Sequence, residues 1–412
     1  MVSTPQSGAL PTGRSLGLGP TAGIPKQLLR GRVAHVSPSD RIVQLLLRPG
    51  LLRQQEAGFE VTVICGQVAM GEELARTGLR VIYIPFAREI EPRTDWACAR
   101  ALYEVLRRER FDIVHSHNPK GTLLGPVVGQ LARVPVVTHT VHGFLFNENT
   151  TGPMRSLALG AEWWCARWCD HLLFQSEEDY TFARNHRFKE PERLHLVGNG
   201  IDERRFDPER HPYARQQTRQ ALGLGEEHLV VGMVARLVRE KGYEEFFAMA
   251  GQLAGEFPQL RLLVVGITEP DQSDAVDPRR LIEANRLEGR CLVLEQRQDM
   301  PELYACMDLA VLPSHREGIP RALMEAAAMG VPIAATDIRG CREVIVPGES
   351  GVLFPLKDVE GFAAAVRRLL LDQGLRRRLG QAGRRRVLAH YTEARTAERI
   401  IACYERFLQE RR

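Results

Sequence analysis

The stretch Leu309-Ala310-Val311-Leu312-Pro313-Ser314-His315-Arg316-Glu317-Gly318-Ile319-Pro320-Arg321-Ala322-Leu323-Met324-Glu325-Ala326-Ala327-Ala328-Met329-Gly330 reads as strand, loop and helix in turn. Its first four residues are apolar without alternation, which suits a parallel strand covered on both faces. The polar loop 313–320 ends on Pro320, which fits the first helical position because no backbone donor is lost there. Arg321–Met329 follows a helical period, and Gly330 with Pro332 stops it. The same grammar extends outward in both directions. Upstream, Arg32–Ser37, Glu60–Cys65, Leu79–Ile84, Phe111–His115, Pro135–Thr140, His171–Gln175 and Arg193–Val197 read as strands. Val230–Ala235, Leu260–Gly266, Cys291–Leu294 and Val331–Ala335 continue the series. Helical segments such as Asp95–Arg110, Pro153–Cys169, Tyr243–Phe257, Arg279–Leu287 and Met300–Met307 lie between them. Alternation of this kind predicts an α/β chain of two doubly wound units in tandem.

Gly198-Asn199-Gly200 is a turn signal, and the polar, proline-bearing run behind it marks a linker near 200–215. The expected division is a loose arm over 1–30, rich in Gly, Pro, Ser and Thr, then Rossmann-like domains over 31–205 and 206–390. A C-terminal helix, 391–412, is expected to cross back to the first domain. The arginine runs of the tail (367–368, 376–378, 384–386) read as solvated helix faces.

The 412 residues are 44% hydrophobic and 26% charged, with 55 basic and 51 acidic side chains for a net charge of +4. That mixture excludes a disordered chain and is too mildly basic to demand nucleic acid, but it tolerates an anionic membrane surface or a phosphate-bearing ligand. No apolar run is long enough to span a bilayer, and the first 25 residues lack the apolar core of a signal peptide. The eight cysteines are scattered, so they are expected as reduced thiols. Cys165 and Cys169, one helical turn apart, have no second ligand pair to make a metal site with.

In open α/β sheets ligands bind beyond the carboxyl ends of strands, so the chemistry is sought there. The loop 313–320 opens a helix and can aim free N–H groups at an anion. Glu317 stands in that loop and Glu325 in the helix, where two carboxylates can accept hydroxyl hydrogen bonds on either side of a phosphate. Arg236 and Lys241 flank the turn after Val230–Ala235 and can reach one diphosphate, as a planar fork and a point charge. His115, His117 and Lys120 follow the strand Phe111–His115, at the expected cleft edge, where they could touch a second substrate or simply pack.

The series Arg236…Lys241-Gly242, Glu317-x7-Glu325 and Asn199-Gly200-Ile201-Asp202 resembles glycosyltransferase family 4, the retaining sugar-nucleotide transferases of GT-B fold. The likeness runs from about residue 31 to the end. Pro313–Gly318 and Ala335–Glu343 are similar to the capsule and O-antigen branch. The resemblance implies a GT-B fold of two Rossmann-like domains facing across a cleft, acceptor in the first and nucleotide sugar, UDP-linked, in the second. It implies that Arg236 and Lys241 neutralise the departing diphosphate, that Glu325 and Asn199 help hold the donor, and that Glu317 binds the transferred sugar beside Gly318 and Ile319. Arg297, in Gln296-Arg297-Gln298, would lie at the base. His142 matches the histidine that touches the donor sugar, with His139 as its competitor. His117 and Lys120 would face the acceptor, a saccharide plausible on undecaprenyl diphosphate. No metal or other cofactor and no nucleic acid is implied; Asp-x-Asp, the metal-holding motif of the other transferase fold, is absent. The expected location is the cytoplasm, peripheral on the inner face of a bacterial membrane, with arginines of Ile42–Gln54 and Asp95–Arg110 toward the lipid.

Two positions depart from the family pattern. Ser37-Pro38-Ser39-Asp40 stands where a glycine pair is common, and Pro320-Arg321 replaces Gly-Leu, with Arg321 expected to add positive charge near the sugar. A nicotinamide oxidoreductase would need Gly-x-Gly-x-x-Gly after an early strand, and none is present. A GT-B-like sugar-nucleotide epimerase and a non-catalytic scaffold are the alternatives the sequence leaves open.

Overall fold

The computed structural model describes residues 29–39, 43–66, 74, 76–86, 91–144, 146, 150, 152–267, 274–295 and 297–411. The expected arm over 1–30 lies almost wholly outside them. Apolar runs become parallel strands because only a sheet covered on both faces buries residues on both sides of each strand. In the first lobe these are β1 Gly31–Ser39, β2 Phe59–Gly66, β3 Arg80–Tyr83, β4 Ile113–His117, β5 Val136–Val141, β6 His171–Phe174 and β7 Leu194–Leu196. They assemble in the order β3-β2-β1-β4-β5-β6-β7. The second lobe contains β8 Leu229–Val234, β9 Leu260–Gly266, β10 Cys291–Glu295, β11 Leu309–Leu312, β12 Ile333–Thr336 and β13 Val352–Phe354, in the order β10-β9-β8-β11-β12-β13. Registers such as Val33↔Ile113 and Leu309↔Val231 are parallel.

Both sheets reverse direction once, between β1 and β4 and between β8 and β11. At such a switch point neighbouring loops leave the strand ends in opposite senses and open a crevice. The loops 235–242 and 313–320 therefore emerge side by side, as do those after β1 and β4.

The linker and the chain's return pair with each other. Ile201 N–H bonds to the Tyr391 carbonyl at 3.0 Å, and Glu393 N–H to that of Ile201 at 3.0 Å. Gly200 sits against the Thr392 backbone, where a Cβ would collide. The helix Glu393–Gln409 then lies on the first lobe, with Tyr404 and Phe407 fully buried in its core.

Several details differ from expectation. Strand β4 covers Ile113–His117 rather than 111–115, so His115 and His117 lie within the sheet. Phe111 fills the core ahead of the strand. The three-residue strand β13 has no counterpart among the predicted strands. The expected helix Ile42–Gln54 is a π-helical turn, Val43–Leu47, leading into Arg48–Glu56, and Ile42 lies outside the described residues. Pro320 precedes the helix Arg321–Ala328 as its cap residue. The tail arginines are not all solvated: Arg376 donates to the carbonyls of Leu369 and Leu370, Arg384 pairs with Asp207, and Arg386 donates to Val344 and Glu343.

Candidate active site

Loops 235–242 and 313–320 are bolted together at the switch point of the second lobe. Gly242 has φ +80°, and a Cβ there would strike the Pro313 carbonyl, so the two backbones touch. His315 N–H and the Ser314 hydroxyl both donate to the Glu240 carbonyl, at 2.8 and 3.2 Å. Arg316 pairs with the Glu240 carboxylate at 3.0 Å. Burial opposes ionisation of Glu240, but the Arg316 bond and the charges of Arg316, Lys241 and Arg236 hold its carboxyl below the usual range. Lys241 Nζ meets Glu317 Oε1 at 2.8 Å, with both side chains largely enclosed. Arg236 is exposed at the mouth of the same turn. The structure thus brings Arg236, Lys241 and Glu317 into one charged patch.

Glu325 lies one turn into the helix Arg321–Ala328. The Tyr304 hydroxyl donates to its Oε2 at 3.1 Å, and Arg321 Nε stands 3.6 Å from Oε1. Burial raises its pKa, against the opposing charges of Arg321 and Arg205. Arg321, expected to add positive charge near the sugar, also engages the linker crossing. Its guanidinium donates to the Gly200 carbonyl at 3.2 Å and approaches Glu393 at 3.4 Å, because that crossing brings a carbonyl and a carboxylate within its reach.

The lobes meet at glycines. A Cβ on Gly318 would strike the His142 carbonyl, one on Gly143 (φ +125°) would lie 2.8 Å from Gly318 Cα, and one on Gly340 (φ +85°) would strike the Gly318 carbonyl. Only residues without a side chain allow three backbones to approach so closely. His142 therefore stands against the Glu317-Gly318 loop. His139 is turned away, buried in the sheet with its Nδ1 2.9 Å from the Ser116 hydroxyl. Ile319 is buried just beyond.

The remaining candidates separate from this centre. Asn199 accepts from Gly200 N–H at 2.8 Å and lines a cavity of about 60 Å³ with His142 and Glu393. Arg297 is exposed and paired with Asp299, Nε to Oδ1 at 2.7 Å, so its charge is already answered. The loop is fixed by Arg205, which donates to the Gln298 carbonyl at 2.7 Å; Gln296 lies outside the described residues. His117 is enclosed rather than at an open edge. Its Nδ1 is 3.1 Å from His142 Nε2 and its Nε2 is 3.0 Å from His35 Nδ1. Lys120 falls in the first turn of the helix Asn118–Leu131, and its side chain lies outside the described residues.

His35, His115 and His117 offer nitrogens close enough to hold a metal ion. Each ring nitrogen already has a protein partner: Gln54 and His117 for His35, Tyr404 and Thr140 for His115, His35 and His142 for His117. Those bonds account for the cluster without an ion. Burial depresses all of these imidazoles, His35 and His142 to about 4 and His139 to about 3, so they are neutral at pH 7.

Sequence reasoning missed an inter-lobe clamp. Arg339 pairs with Asp179 at 3.0 Å and lies over the rings of Phe144 and Phe146. Arg342 pairs with Glu178 at 3.0 Å. Glu343 accepts from the Ser176 hydroxyl at 2.8 Å and Glu178 N–H at 2.9 Å, capping a helix of the other lobe. Burial pushes Asp179 up to about 6 despite Arg339. In the sequence, Asp337-Ile338-Arg339-Gly340-Cys341-Arg342-Glu343 carries only a family likeness, since nothing local says what its charges face.

The family described as "Glycosyltransferase Family 4" matches residues 51–205, and that described as "Glycosyl transferases group 1" matches 214–386. The UDP-Gal:alpha-D-GlcNAc-diphosphoundecaprenol alpha-1,3-galactosyltransferase of Escherichia coli is 28% identical over 321 residues, covering 77% of this chain and 81% of that protein. The N,N'-diacetylbacillosaminyl-diphospho-undecaprenol alpha-1,3-N-acetylgalactosaminyltransferase of Campylobacter jejuni is 26% identical over 92% of this chain and 99% of its own length. The crystal structure of Anabaena Alr3699/HepE in complex with UDP and glucose superposes with a TM-score of 0.77 at 19% identity, over 90% of this chain and 99% of that one, a likeness of fold. With two switch-point loops joined around a cationic patch and both halves matched in order, the chain belongs to glycosyltransferase family 4, in its polysaccharide branch, and has the GT-B fold.

Proposed function

We propose that the protein transfers a sugar from a UDP-sugar, with retention, to a saccharide carried on undecaprenyl diphosphate. The observation that carries this reading is the joining of loops 235–242 and 313–320, which gathers Arg236, Lys241 and Glu317 at one switch point. As the sugar leaves, negative charge builds on the diphosphate, and cations aimed there lower the transition state more than the ground state. Lys241 and Arg236 take that role, with no step assigned to a metal. Glu317, held by Lys241, orients the sugar; His142 faces it from the other lobe; Glu325 accepts from the ribose hydroxyls. The UDP donor follows the activity of the Escherichia coli relative, and the carrier follows those of both bacterial relatives, which act on undecaprenyl-diphosphate-linked sugars. A screen of UDP-, GDP- and ADP-sugars with such acceptors tests it, the anomeric configuration being read by NMR. Hydrogen exchange at the sugar without acceptor would favour an epimerase instead.

A lipid carrier requires docking at the inner membrane face, and a surface suits it. Among the described residues no helix is long and apolar enough to cross a membrane. The helices Pro92–Glu109, Asn118–Leu131 and Gly152–Trp168 cover one face of the first sheet, and Trp96, Tyr103, Leu131, Leu157, Trp163 and Trp164 are exposed on them. Trp96 is 75% exposed. Aromatic side chains among Arg93, Arg100, Arg107, Arg155 and Arg167 suit an anionic interface. The other helix expected there, Arg48–Glu56, lies beneath Glu393–Gln409. Replacing Trp96, Trp163 and Trp164 with alanine is expected to abolish sedimentation with phosphatidylglycerol vesicles while soluble UDP-sugar binding persists. Unchanged sedimentation would remove this face from the account.

A further inference from the structure

Behind His142 a line of neutral side chains runs into the first lobe. His142 Nε2 is 3.1 Å from His117 Nδ1, His117 Nε2 is 3.0 Å from His35 Nδ1, and His35 Nε2 is 2.8 Å from Gln54 Oε1. His35, His117 and Gln54 are each at most 3% exposed. The line crosses the sheet at its switch point: His35 is on β1, His117 ends β4, and His142 follows β5.

A neutral imidazole carries one N–H and one lone pair, so each bond in such a line dictates the next. With Gln54 Oε1 facing it, His35 must carry its proton on Nε2 and offer Nδ1 as acceptor. His117 then donates from Nε2 and accepts at Nδ1, and His142 donates from Nε2. That leaves the Nδ1 lone pair of His142; the Gln175 side chain also bonds the ring. Reversing the Gln54 amide would reverse every bond. His35, Gln54, His117 and His142 line one wall of a cavity of about 60 Å³. His115 supports the line from the side. Its Nδ1 is 2.5 Å from the Tyr404 hydroxyl, which is 3.5 Å from His35 Nε2, so the returning C-terminal helix locks the same rings.

We propose that His117, His35 and Gln54 are positioning residues that fix the tautomer and ring plane of His142 for the sugar-transfer step. The inference rests on the reading of His142 as the first-lobe group that meets the donor sugar. Three buried polar side chains in a row are costly unless each bond is made, and here each has a partner within hydrogen-bond distance.

The test uses the full chain with selectively ¹⁵N-labelled histidine, and compares His142→Ala, His117→Ala, His117→Asn and Gln54→Leu. Wild-type His142 is expected to show a protonated Nε2 and a bare Nδ1, and Gln54→Leu to mix the two tautomers. His117→Ala is expected to lower kcat about 10–100-fold, as losing the partner that orients a functional histidine does, with donor KM within a factor of three. His117→Asn, which returns a hydrogen-bonding atom near Nδ1, is expected to recover part of the loss. A single unchanged His142 tautomer in Gln54→Leu, or wild-type kcat in a folded His117→Ala, would overturn the proposal. So would one equivalent of tightly held transition metal in the purified protein that disappears in His117→Ala, because the rings would then serve an ion. If His142→Ala kept full activity, the reading of His142 itself would fall; if it lost activity while His117→Ala did not, only the positioning line would.

Discussion

Glu325 shows how a residue's surroundings set its task. Tyr304 donates to one carboxylate oxygen and Arg321 lies beside the other, so its orientation is held before any ligand arrives. Glu325→Gln keeps the shape and removes the charge. A hydrogen bond to a charged group contributes about 1.5–3 kcal/mol, so donor affinity is expected to fall about 10–100-fold, read by calorimetry with UDP. Unchanged affinity would remove Glu325 from the donor site. The buried histidines carry a second consequence. His35 and His142 are depressed to about 4 and His139 to about 3, against 6.5 for an unburied imidazole. Between those values the unfolded chain binds more protons than the folded one. Their contribution to stability is complete above pH 6.5 and is lost as pH falls toward 4, by about 1.4 kcal/mol per pH unit for each ring. Urea unfolding midpoints should therefore drop steeply from pH 7 to pH 5. A flat profile would mean that these rings are hydrated.

Elements differ in how much of them the chain announces. The predicted strands Leu260–Gly266 and Leu309–Leu312 have the bounds of the structure, because uninterrupted apolar runs have few other uses. Strand β4 lies two residues later than the predicted Phe111–His115, since Ser116-His117 looks like a polar loop until the partners of this stretch appear: His35 from β1 for His117, and Thr140 from β5 and Tyr404 from the last helix for His115. Such partners are distant in the chain, and burial of a polar residue depends on them. The loop 313–320 was legible as a candidate site from its own residues. The destination of Arg321 was not, because the Gly200 carbonyl and Glu393 arrive from two separate crossings. The close approach at Gly318 is likewise set by the other lobe. Gly318→Ala would drive a methyl group into the His142 carbonyl and push the lobes apart there. Its expected effect is a loss of transfer of at least about tenfold with UDP binding nearly intact, because the proposed nucleotide contacts are all second-lobe residues. Equal losses of binding and transfer would show instead that the loop itself had collapsed.

At the scale of the whole molecule, two sheets present their switch points to each other. The chain crosses between them twice, and backbone bonds from Ile201 to Tyr391 and Glu393 join the crossings. Arg339, Arg342 and Glu343 tie the lobes at another point, beside the contact of Gly318 with Gly143. This arrangement brings a first-lobe histidine beside the second-lobe loop that holds the cationic patch, and the proposed transfer depends on that meeting. Arg236 is exposed, so its removal leaves the fold intact; Lys241 is paired with Glu317 in a largely enclosed place, so its loss also lowers the melting temperature somewhat. The most direct test is the turnover of Arg236→Ala, alone and with Lys241→Ala, on the best UDP-sugar with a lipid-diphosphate acceptor. The account predicts kcat lower by about 10²–10³ for Arg236→Ala at an unchanged melting temperature, and a further loss for the double variant. Turnover within a factor of three of the wild type, in folded protein, would contradict it.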